Sequence, residues 1–69
     1  MKKVISNTAQ VKRHNVELIK NTLKSLPSGT KTSIAHITGL SVATCNTILN
    51  ELSTTGEIIE VHNEYSQVG

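Results

Sequence analysis

Aromatic side chains are almost missing from this 69-residue chain: Tyr65 stands alone, with no Trp and no Phe. Without rings to fill it, a core has to be aliphatic, built from Ile, Leu and Val. Cysteine is as scarce. A single Cys45 cannot form an intrachain disulfide, which excludes a disulfide-stapled scaffold. No apolar run approaches the roughly 20 residues of a membrane-spanning helix. The two lysines after Met1 are not followed by the apolar stretch of a signal peptide. These absences leave one small cytoplasmic domain, near the lower limit of what folds around a single core.

Positive charge is missing from more than half of the chain. All seven Lys and Arg lie in residues 1–31, against one acid, Glu17, while residues 32–69 hold four glutamates and neither Lys nor Arg. The formal net charge of +2 conceals this polarity. A basic leader on a small domain points to a polyanionic partner more than to an acidic substrate.

What is present is periodic. In AQVKRHNVELIKNTLKSL, Val16, Ile19, Leu23 and Leu26 fall on one helical face, with Val11 and Leu18 on a neighbouring stripe. Ser6, Asn7 or Thr8 can cap the start, and Pro-Ser-Gly at 27–29 stops the helix. Residues 1–8 read as a flexible leader carrying Lys2 and Lys3, and 9–69 as the folded domain. A shorter helix is predicted after Thr30, whose hydroxyl can accept from the first-turn amides, with Ile34, Ala35 and Ile37 inward and Gly39 at its end. Leu40 anchors the turn that follows, and Ser41 is placed to cap a third helix.

That third helix has the sharpest pattern. Cys45, Ile48, Leu49 and Leu52 gather on one side; Ala43, Thr47, Asn50 and Thr54 point the opposite way, flanked by Thr44, Asn46 and Glu51. Gly56 is its stop. EIIEV has the β-branched content of a strand, HNE suits a turn, and YSQVG begins a returning strand. The predicted fold is mainly α with a small β-hairpin, a three-helix winged helix-turn-helix.

A helix-turn-helix locks its second helix by an apolar face and keeps the other face free of bulk, so that it can enter the DNA major groove. Here Asn50 and Asn46 can pair with adenine, Ala43 can pack on a thymine methyl, and Thr47 can do either. Arg and Lys, the usual readers of guanine, are missing from this helix, so the expected contacts are A·T-rich. Phosphate contacts fall to Lys12, Arg13, Thr30 and Lys31, joined by Ser41 and Thr44 at the start of the third helix.

QVKRHNVELIKNTLKSL, TKTSIAHITGLSVATCNTILNEL and TGEIIEV together resemble the N-terminal DNA-binding domain of ROK-family repressors, the xylose, N-acetylglucosamine and glucose regulators. The likeness is carried by Gln10, Lys12 and Asn15, by the turn Thr38-Gly39-Leu40-Ser41, by Ala43-Thr44 and by Glu51-Leu52, and it runs from about residue 10 onward. It implies a bacterial repressor bound to a double-stranded operator and homodimeric at full length. It also implies a sugar effector sensed by a C-terminal kinase-like domain absent from this chain. The family often has arginines at the positions of Val42 and Thr47, both uncharged here. In the family the wing runs on into Gly-Arg-Pro, whereas this chain halts at Gly69. That implies a fragment cut in the returning strand, with part of the wing tip beyond it.

Two other readings compete. A winged helix can serve protein–protein contact without DNA, since fold alone does not set function. A small enzyme or metal protein would need a constellation that the sequence does not offer. His14, His36 and His62 are widely separated and form no zinc-ligand spacing with Cys45, which reads as a core residue. No metal, no cofactor and no catalytic residue is expected.

Overall fold

The computed structural model describes residues 8–68. The elements are α1 (Thr8–Ser25), α2 (Lys31–Thr38), α3 (Val42–Thr55), β1 (Ile58–Val61) and β2 (Glu64–Gln67). Three helices followed by an antiparallel hairpin make the winged helix-turn-helix that the patterning predicts. The leader, its Lys2 and Lys3, and the cap candidates Ser6 and Asn7 lie outside the described residues; Thr8 is already helical.

α1 buries Ile19 and Leu23 completely and packs Val16 against the same core. It ends ahead of Pro27, which disfavours helical backbone at the residue before it. The next three residues do more than stop a helix. Gly29 and Tyr65 exchange two backbone hydrogen bonds, at 2.9 and 2.7 Å, so the linker adds a one-residue rung to the hairpin's β2 side. A Cβ at Gly29 would stand 3.2 Å from Ile34 Cγ1 and 3.3 Å from Ser33 Oγ, closer than side chains normally approach. Glycine is what lets the linker lie so near α2.

Both helices of the helix-turn-helix are capped by their own sequence. Thr30 Oγ1 accepts from the Ser33 amide at 3.1 Å, and Ser33 Oγ accepts from the Thr30 amide at 3.0 Å, a capping box with serine in the third position. Gly39 closes α2 with φ 78°, a left-handed conformation that costs glycine little, and its amide donates to the Ala35 carbonyl at 2.9 Å. The Thr38 hydroxyl donates to the Ile34 carbonyl and accepts from the Leu40 amide, which tightens the turn. α3 starts on Ser41 and stops at Gly56. There the Gly56 and Glu57 amides reach back to the carbonyls of Ser53 and Leu52, the paired bonds of a Schellman motif.

β1 and β2 pair with Ile58 opposite Gln67 and Val61 opposite Glu64. The connection is two residues, His62 and Asn63, with φ 54° and 66°. Two positive φ values in a two-residue loop give the type I′ geometry that matches the twist of a hairpin. The turn of the hairpin therefore lies within the chain, and four residues on each strand pair around it.

The core comprises Ile19, Leu23, Ile34, Ala35, Cys45, Ile48, Leu49, Leu52, Ile58 and Tyr65. Two expectations need correction. The core is not purely aliphatic, because Tyr65 is one of its largest fully buried side chains. Strand alternation puts it on the same hairpin face as Ile58, and β2 packs against α1. Ile37 does not face inward; it is 55% exposed. At about 100° per residue it lies roughly 110° from the mean direction of Ile34 and Ala35, whereas Thr38 falls between those two and turns inward. No helix among the described residues is long and apolar enough to cross a membrane.

Candidate nucleic-acid interface

α3 is held by its buried side. Cys45, Ile48, Leu49 and Leu52 all pack inside, and Ser41 fixes the first turn. The other side carries Ala43, Thr47, Asn50 and Thr54, all exposed, with Asn46 and Thr44 half-buried at its two edges. None of these six is larger than an asparagine, and exposed Glu51 stands on the Thr44 side of them. The four central residues make a shallow, uncharged ridge of a kind that a major groove admits.

Hydrogen bonding sharpens what each group can offer. Thr47 Oγ1 donates to the Ala43 carbonyl at 3.2 Å and Thr54 Oγ1 to the Asn50 carbonyl at 2.9 Å. With their protons turned back on the helix, both threonines present lone pairs and methyl groups outward. The donors on this face are then the carboxamides of Asn50 and Asn46. Ser41 Oγ accepts from the Thr44 amide at 3.1 Å and donates to Thr44 Oγ1 at 2.9 Å, so its own proton is engaged. Thr44 keeps a free proton and is the better phosphate donor of the two. The same holds for Thr30, which accepts from Ser33 and retains its proton at an exposed site.

The cations divide. Arg13 is exposed and has no acidic partner among the described residues, and Lys31 sits half-buried at the start of α2. Lys12 is engaged: its Nζ lies 2.9 Å from Glu51 Oε2 on α3, with the two side chains 54% and 47% exposed. Sequence reading places Glu51 on the flank of α3 without giving it a partner, because a contact across 39 positions has no local signal. Beside this pair a groove of about 290 Å³ opens between α1 and α3, lined by Val11, Lys12, Asn15, Thr44, Thr47 and Ile48.

The hairpin is the opposite pole. It and the residue before it hold Glu57, Glu60 and Glu64 with no Lys or Arg. Lys20 of α1 bonds Glu57 at 2.6 Å, and that hydrogen bond raises the Lys20 pKa. The Glu57 carboxyl is held below its ordinary value, first by Lys20 and then by the Thr55 hydroxyl. The outward face of the hairpin shows Ile59, Val61 and Val68 to solvent. Compared with protein-family models, curated proteins and solved structures, the chain matches none. The geometry of the site therefore has to support any functional reading. Among the described residues no three His, Cys, Asp or Glu side chains gather as a metal site, and Cys45 is buried.

Proposed function

We propose that this chain is the DNA-binding domain of a bacterial transcriptional repressor, non-catalytic and cytoplasmic, with α3 in the major groove of a double-stranded operator. One observation carries the reading: the capped, core-locked α3 leaves Ala43, Thr47 and Asn50 exposed together, with Asn46 at their margin. Base edges fall to these four. Arg13, Lys31, Thr30 and Thr44 hold phosphates, together with Lys12 once it leaves Glu51 and with Ser41 at the helix start. The ROK-type resemblance extends this to a homodimer at full length and to a sugar effector sensed by another domain.

Titration of labelled duplex DNA across salt concentrations tests it. Binding should fall steeply between about 50 and 200 mM salt, as phosphate contacts release counterions. Sites selected from random duplexes should be A·T-rich, and Asn50→Ala should lose about 1–3 kcal/mol of discrimination at one base pair. Salt-independent binding, or an indispensable guanine facing α3, would overturn the assignment.

A second reading has its own observation. The outward face of the hairpin sets Glu64 beside Ile59, Val61 and Val68 and carries no Lys or Arg. Such a face offers phosphate nothing and suits a protein partner. If duplex DNA does not bind, a winged-helix protein–protein module is the reading that stands.

A further inference from the structure

Lys12 reaches across to the reading helix, yet in the free protein a carboxylate on that same helix already holds it. We propose that Glu51 is an intramolecular stand-in for a DNA phosphate. On binding, Lys12 exchanges Glu51 for the backbone, and the groove between α1 and α3 seats one deoxyribose-phosphate unit. The inference rests on the DNA-binding reading and deepens it by naming a backbone site and the residue that opposes its use.

The groove suits that occupant in chemistry and in charge. Val11, itself well exposed, and Ile48 give its lining apolar surface for the carbon face of a deoxyribose. The lining also includes Lys12, the half-buried Asn15 and Thr44, whose hydroxyl proton is uncommitted. Three residues with donors beside two apolar ones fit a sugar bearing an anion better than they fit an apolar peptide side chain.

The exchange is feasible because the ion pair is shallow. Both partners are about half exposed, and pairs of that kind contribute little. A phosphate oxygen offers the ammonium an equally charge-assisted bond, with further acceptors for Asn15 and Thr44. Glu51 is also the only charged residue on α3, so its carboxylate is the one group of that helix that a phosphate meets as a like charge. Stand-in and repeller are separable roles. A stand-in acts through Lys12, whereas a bare like charge acts whether or not Lys12 is there.

The test is a double-mutant cycle on the whole chain, titrated with a random-sequence duplex at low salt: wild type, E51Q, K12Q and the double variant. Thermal unfolding of each checks that the fold is intact. With Lys12 present, E51Q should tighten binding about two- to five-fold, the most that an exposed pair of this kind holds back. The gain should shrink in the K12Q background. K12Q alone should weaken binding and lower the slope of log K against log salt by about one. An equal gain in both backgrounds would reduce Glu51 to a simple repelling charge, and weaker binding by E51Q would make it a helper; either result overturns the exchange while leaving DNA binding intact. Failure of all four folded proteins to bind the duplex would remove the DNA-binding reading itself, and the exchange with it.

Discussion

Ser53 holds the one buried side-chain oxygen that finds no partner among the described residues. It sits in the last turn of α3, where a neighbouring carbonyl could have accepted its proton, yet no such bond forms. A buried hydroxyl left unpaired loses its bonds to water without replacement, and serine is also a poorer helix former than alanine. Ser53→Ala should therefore stabilise the domain by about 0.5–1 kcal/mol, read as a higher urea midpoint at unchanged slope. Lys20 and Glu57 show a different residue-scale effect. Since the Glu57 pKa is lowered in the folded state, its contribution is present above the unfolded carboxyl value and is lost as pH falls through the folded one. Lys20 is raised by that same carboxylate, so at the alkaline end the pair is lost as pH climbs through the elevated lysine value. The difference in melting temperature between wild type and Glu57→Gln should thus be greatest near neutrality and close up on acidification below the carboxylate range. A difference that grows in acid would contradict the pairing.

At the scale of elements, the hairpin turn leaves room for improvement. Asn63 tolerates its φ of 66° better than most residues, but glycine adopts it without a Cβ contact. Asn63→Gly should stabilise the hairpin by up to about 1 kcal/mol, measurable as slower amide exchange in β1 and β2. The helices were legible in the sequence because their signals are local. Thr30, Gly39, Ser41 and Gly56 mark ends through bonds to residues within four positions, and the four-residue apolar face of α3 repeats at helical spacing. What could not be read depends on partners far along the chain. Gly29 looked like punctuation and turned out to pair with Tyr65, 36 positions away. Tyr65, the one aromatic residue, has no local signal that marks it for the core; it is a large core side chain because the hairpin packs over α1. Ile37 was misplaced for a simpler reason: in an eight-residue helix a single misjudged angle moves a side chain from core to solvent.

Over the whole molecule, charge is sorted by element. α1 and the start of α2 carry Lys12, Arg13, Lys20, Lys24 and Lys31, while Glu57, Glu60 and Glu64 cluster in and beside the hairpin. Lys20 and Lys24 nevertheless line one groove with Glu57, Ile58 and Gln67, so the two signs meet where α1 lies beside the hairpin. This polarity was visible in the sequence as a sign change near residue 32; its arrangement in space was not, because the Lys20–Glu57 and Lys12–Glu51 contacts stitch the two signs together. The solitary cysteine adds something unlooked for. Cys45 is 0% exposed at the centre of the packed helices, so an alkylating reagent can reach its sulfur only while they stand apart. Its rate of modification is then a built-in clock for such openings. Any duplex that favours the closed form will slow that clock, and occupancy can be timed on the unaltered polypeptide without a dye.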